Sequence, residues 1–232
     1  LNSKGVQASI DNSIRENASK INDISVGDYS IGDICKRVEE LWTEDEELNN
    51  PRLEWTFSGH SDIVTSVAVD NNGNVYSGSH DKTVKKISSS GSQIWTFSGH
   101  SNFVRSVAVD NNGNVYSGSH DKTVKKISSS GEEIWTFNGY TDGVDAVTVD
   151  NSGNVYSGAG FSDKTVKKIS PSGEEIWTFS GHSNTVTSVA VDNNGNVYSG
   201  SSDETVKKIS PSGSQIWTFS GHSNTVTSVA VD

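Results

Sequence analysis

Among the six histidines of this 232-residue chain, His60, His100, His182 and His222 recur once per repeated unit, as do Asp81, Asp121, Asp163 and Asp203. Imidazoles and carboxylates are the side chains that most often hold metal ions or move protons. Groups repeated at a fixed interval lie on a ring and do not converge on one point. The reading is therefore structural. His80 and His120 stand in turns, are replaced by Ser162 and Ser202 elsewhere, and read as surface variation.

Two further patterns carry potential chemistry. Asp70-Asn71-Asn72-Gly73-Asn74 and its copies place oxygen ligands at spacings useful for calcium. They lack the distant bidentate Glu of a hand-type loop, and hairpin turns favour the same residues for backbone reasons. The lysine pairs Lys85-Lys86, Lys125-Lys126, Lys167-Lys168 and Lys207-Lys208 lie on strand text, where neighbours point to opposite faces. One lysine of each pair then needs an acidic or carbonyl partner if it is covered, or a stem that snorkels to the rim. No nucleophile–base–orienter set, phosphate-cradling loop or carboxylate pair stands out, so a noncatalytic protein with no cofactor and no metal is expected. Cys35 is alone, which excludes an internal disulfide, a cysteine metal site and a redox pair.

The elements that must position these residues follow from the repeat. Trp55, Trp95, Trp135, Trp177 and Trp217 are separated by 40, 40, 42 and 40 residues. Asp70–Ser88 is identical to Asp110–Ser128, and Trp177–Asp192 to Trp217–Asp232, as expected for duplication with little divergence. Within a unit, VTSVAVD alternates and is rich in β-branched residues, and Asn72-Gly73 is a strong hairpin signal. Further strands are expected at Val75–Ser79, Thr83–Ser88 and Ile94–Phe97. Four short antiparallel strands cannot cover both faces of their own sheet, so the units must stack on one another.

These residues resemble the WD-repeat β-propellers, which have one four-stranded antiparallel blade per unit. Gly-His before the first strand (His60, His100, His182, His222), an aspartate between the second and third strands (Asp81, Asp121, Asp163, Asp203) and a second-strand hydroxyl (Ser79, Ser119, Ser201) match the family pattern. The resemblance implies a blade network of His, Ser and Asp, and an all-β propeller over 51–232: four complete units, a fourth-type strand before them and a first-type strand after. It also implies about seven blades, so further repeats or another chain should complete the ring. The chain starts at Leu1 and stops inside a repeat, as a piece of a longer or processed product would.

The departures are as informative as the matches. Ile87-Ser88 and its copies stand where the family ends its third strand with Trp-Asp, and Gly139-Tyr140 replaces Gly-His in the third unit, which also carries an insertion at Gly160-Phe161. The tryptophans that open the fourth strands are similar to those of PQQ-type propellers, although no convergent quinone-binding set is found. In a symmetric array, differences between units are the candidates for specificity. Phe103, Arg105, Tyr140 and Phe161 are the candidate surface contacts, since aromatic residues and Arg dominate interface energetics.

Residues 1–50 contain none of the repeat text and carry 5 basic against 11 acidic residues. Gln7, Ile14 and Ile21 with Ile10, Asn17 and Ile24 form one heptad seam; Ile31 and Val38 with Ile34, Leu41 and Leu48 form a second. Ser25–Asp28 separates them, and Ser30 with Asp33 is spaced as a capping box. Two short helices are expected, forming a coiled-coil stalk that joins several copies, with a trimer favoured. A stalk with propeller heads resembles virion fibres or surface appendages that attach to a protein or cell-surface ligand, placing the chain outside cells or on a virion. The alternative is an intracellular, cytoplasmic WD-type scaffold. Eighteen basic against 29 acidic residues, net −11, argue against nucleic acid and anionic membrane as partners. No apolar run reaches the length of a membrane span, and no secretory signal pattern is present.

Overall fold

A computed structural model describes residues 25–26, 29–30, 36 and 53–231. The chain divides into two compact units, Leu1–Glu54 and Trp55–Asp232. In the first, β1 (Ser25–Val26) pairs antiparallel with β2 (Tyr29–Ser30), Val26 opposite Tyr29. Ser30, expected to cap a helix, therefore lies in a strand. The two expected heptad helices fall outside the described residues, except Lys36, whose backbone is helical.

The second unit contains four sheets of four antiparallel strands in sequence order. The first comprises β3 (Val64–Val69), β4 (Val75–Ser79), β5 (Val84–Ile87) and β6 (Gln93–Phe97). The second comprises β7 (Val104–Val109), β8 (Val115–Ser119), β9 (Val124–Ile127) and β10 (Glu133–Phe137). The third comprises β11 (Val144–Val149), β12 (Val155–Ala159), β13 (Val166–Ile169) and β14 (Glu175–Phe179). The fourth comprises β15 (Val186–Val191), β16 (Val197–Ser201), β17 (Val206–Ile209) and β18 (Gln215–Phe219). Asp70 Oδ1 accepts the Asn72 and Asn74 N–H groups, and Gly73 adopts φ 76°, which closes the β3–β4 hairpin.

The sheets stack through their first strands: β3 lies beside β7, β7 beside β11, and β11 beside β15. The cores are at these junctions. Tyr76, Val84 and Phe97 of the first sheet pack with Val104, Val107 and Val115 of the second, and the next two junctions repeat the pattern. Glycine makes the close approach possible: a Cβ on Gly78 would lie 2.7 Å from Val104 Cγ1 and 3.0 Å from Val107 Cγ1. Polar ties cross the same junction. Val107 N–H donates to Ser66 Oγ, and Val147 N–H to Ser106 Oγ. At the outer side, the indole N–H groups of Trp55, Trp95, Trp135 and Trp177 each donate to a carbonyl in the last turn of the next sheet.

Sequence text that lacks a neighbour does not join a sheet. Trp55–Phe57 and Val226–Val231, expected as fourth-type and first-type strands, carry no ladder, since no complementary strand adjoins them among the described residues. The second segment still docks as β3-type text should, with Val226 buried, its carbonyl accepting from Thr187 and Val229 N–H donating to Ser188. Burial follows the same logic. Val67 of the first sheet is 64% exposed, whereas its equivalent Val107 is 6% exposed.

Candidate functional site

Each sheet joins two loops at one edge: the loop before its first strand, which carries the histidine, and the turn between its second and third strands, which carries the aspartate. In the second sheet, His100 Nδ1–H donates to Asp121 Oδ2 at 2.8 Å, and Nε2 accepts the Ser117 hydroxyl at 2.7 Å. Asp121 also accepts from Ser101 N–H, Thr123 N–H and the Thr123 hydroxyl. His60–Asp81–Ser77 and His182–Asp203–Ser199 repeat the arrangement.

The hydroxyl in this network differs from the expected one. Ser79, Ser119 and Ser201 cap the turn instead, each accepting the N–H of the aspartate and donating to the carbonyl of Asp62, Asn102 or Asn184. Ser77 and Ser79 point to the same face of β4, and the imidazole enters at the level of Ser77. His222 is exposed and makes no such bond among the described residues, because no β4-type and β5-type strands adjoin it. In the third sheet Tyr140 replaces the histidine, its hydroxyl meets Ser157, and Asp163 turns to Thr141 and Thr165. Tyr140 is only 7% exposed, so it is a core residue and not a surface contact. An aromatic ring between two buried elements gains more from packing than from projecting into water.

Serine, histidine and aspartate stand here in the order of a hydrolytic relay. The sequence revealed no such set, and the structure assembles three. Their surroundings are wrong for chemistry: Ser117 is wholly buried, and the His100 side chain is 0% exposed. They act as clasps between loop and turn. Burial alone would raise the carboxyls, but hydrogen bonds from His100 and Thr123 hold Asp121 well below the usual range, and those of Thr205, Ser183 and His182 hold Asp203 at about 2. Burial pushes the His182 imidazole below its ordinary value, outweighing Asp203.

The other repeated groups are also engaged within the fold. Asp110 accepts from Asn112 N–H, Asn114 N–H, the Asn114 amide and the Tyr116 hydroxyl, so protein donors engage its carboxylate within the turn. No cluster of three or more His, Cys, Asp or Glu suited to a metal ion occurs among the described residues. The first lysine of each pair is buried. Lys125 Nζ, for example, donates to Glu133 and Thr136, while Lys126 Nζ sits 5.3 Å above the Tyr116 ring.

One group of residues breaks the symmetry. Every first strand carries a β-bulge after its first residue, since Val64 pairs with Ser79 but Ser66 with Gly78. The bulge re-aims the extra residue toward the next sheet. Thr65 and Thr187 there donate to the carbonyls of Val104 and Val226. In the second and third sheets the bulge residues are Arg105 and Asp145, and Arg105 Nε donates to Asp145 Oδ1 at 3.2 Å. The Arg105 Nη1 group donates to His80 Nε2 at 3.3 Å, and His120 Nε2–H to Asp145 Oδ1 at 3.1 Å. Phe103 stacks on His80 at 4.3 Å between ring centroids and lies 6.2 Å from His120. A Cβ on Gly143 would lie 2.6 Å from the His120 ring, so glycine there makes room for it. His80 and His120, read from sequence as surface variation, thus belong to one cluster with Phe103 and Arg105. Phe161 is 65% exposed beneath Lys164 Nζ, and no contact joins it to the cluster among the described residues.

Sheets of four antiparallel strands, clasped by His, Ser and Asp and stacked first strand to first strand, have the build of β-propeller blades. Residues 51–87, 91–127 and 173–209 match the family model described as WD domain, G-beta repeat, so these segments are similar to WD repeats. Tyr140, β11 to β13 and the Gly160-Phe161 insertion lie outside these three segments. No curated protein matches the chain. Among the described residues, no helix is long and apolar enough to cross a membrane.

Proposed function

We propose that this chain is a noncatalytic scaffold that binds protein partners through the edge carrying the His–Asp clasps. One observation carries the reading: residues that break the repeat in different blades come together in a single, partly exposed cluster of Phe103, Arg105, His80, His120 and Asp145. Exposed ion pairs of this kind add only about 0–1 kcal/mol to stability, so a binding role explains their placement better than a folding role. The groups that could do chemistry are engaged within the blades. The attachment-fibre reading rests on residues 1–50 as an oligomeric stalk, whereas the WD repeats favour the scaffold.

The test is affinity capture from the source proteome with the intact chain and with Phe103→Ala, using Ile134→Ala on the exposed face of β10 as control. Proteins retained by the wild type and the control but lost with Phe103→Ala support the reading. Capture indifferent to Phe103 contradicts it.

A further inference from the structure

We infer that the cluster is a carboxylate-reading site, with Arg105 as its centre, for a peptide segment that places an Asp or Glu beside an apolar side chain. The inference rests on the reading of this edge as the interaction face and specifies the partner's chemistry.

Arg105 is the group best suited to reading a partner. Its side chain is 38% exposed, and two of its five N–H groups are engaged, one with Asp145 and one with His80. The other three have no protein partner among the described residues. A planar guanidinium held at two points loses little freedom on taking up a carboxylate, which is how arginine gains selectivity for paired oxygens. Asp145 Oδ1 accepts from both Arg105 and His120, and Asp142 accepts the Gly143 and Ser162 N–H groups. The donor capacity left open at the cluster is that of the Arg105 guanidinium.

His80, which holds the Arg105 guanidinium, also carries the aromatic part of the cluster. Phe103 is 37% exposed, stacks on His80, and continues across the first blade to Ile63, which is 63% exposed and whose carbonyl accepts the His80 N–H. The strip Ile63–His80–Phe103–His120 thus runs across two blades with the guanidinium at its side. A lone acidic group would meet only the charge, and a lone apolar group only the strip. A segment with both satisfies the site, and desolvation by the aromatic rings strengthens the ion pair.

The experiment selects twelve-residue peptides displayed on phage against the intact chain, then measures affinities of the enriched peptides as blocked synthetic peptides. Arg105→Thr is the informative variant, because threonine occupies the same bulge in the first and fourth blades and restores the repeat's own tie. Peptides enriched in Asp or Glu next to an apolar residue are expected, weakened about tenfold or more by Arg105→Thr with the melting temperature unchanged. Arg105→Lys should recover part of the affinity, as a point charge without the fork. Peptides that depend on Phe103 but show no acidic preference would overturn the carboxylate assignment while leaving the interaction face standing. Phosphoserine binding at least tenfold tighter than Glu in the same peptide would reassign the ligand to phosphate. Binding indifferent to Phe103 and Arg105 alike would overturn both readings.

Discussion

His100 Nδ1 and Asp121 Oδ2 stand 2.8 Å apart across 21 residues of sequence, which clasps the loop entering β7 to the β8–β9 turn. Because Asp121 also holds two backbone N–H groups and the Thr123 hydroxyl, its loss would strand several donors at once. Asp121→Ala should cost about 3 kcal/mol or more, since each stranded buried donor costs about 1–3 kcal/mol. Asp163→Ala, in the blade where Tyr140 replaces histidine, should cost less. Urea denaturation of both variants checks the difference.

Acid should weaken the fourth blade in two stages. His182 has a folded pKa below its unfolded value, so the unfolded chain takes the proton first and stability falls as pH drops below about 6.5. Asp203 is likewise held low, at about 2. Its contribution is complete above the unfolded carboxyl value and is lost as pH falls from there through about 2. Melting temperatures from pH 8 to 2 should show both declines, and His182→Phe should diminish the first.

Close approach at Gly118 makes a sharper packing prediction. A Cβ there would lie 2.7 Å from Val147 Cγ2 and 2.8 Å from Val144 Cγ1. Gly118→Ala should destabilise by about 1–3 kcal/mol. Val147→Ala in the same chain should recover part of that loss, and a double-mutant cycle measures the coupling.

The shared SVAVD text should respond differently in different blades. Val107 is 6% exposed at a blade junction and Val67 is 64% exposed. Val107→Ala should cost about 2 kcal/mol, whereas Val67→Ala should stay within about 0.5 kcal/mol. Equal effects in denaturant titrations would contradict the stacking described.

Much of this architecture was legible in the sequence. The tryptophan spacing set the unit, alternation in VTSVAVD marked the first strand, and Asn-Gly marked the hairpin. The histidine–aspartate pairing followed from the resemblance to WD repeats. The correct hydroxyl did not, because the depth at which the imidazole enters the sheet chooses between Ser77 and Ser79, two residues that alternation places on one face. The bulge was equally hidden: a single extra residue in a strand leaves the composition unchanged, yet it brings Arg105 to Asp145. Unit-to-unit differences did flag Phe103 and Arg105. The same reasoning misplaced Tyr140, because replacing a buried imidazole with a phenol looks like surface variation until its neighbours are known.

The most direct measurement pairs melting temperature with peptide or partner affinity for His182→Ala and Phe103→Ala. On the proposed reading, in which the clasps are structural and recognition belongs to the cluster, His182→Ala should lower the melting temperature and leave binding intact at temperatures where it is folded. Phe103→Ala should do the reverse. Binding lost with His182 while the fold persists, or untouched by Phe103, would contradict this division of roles.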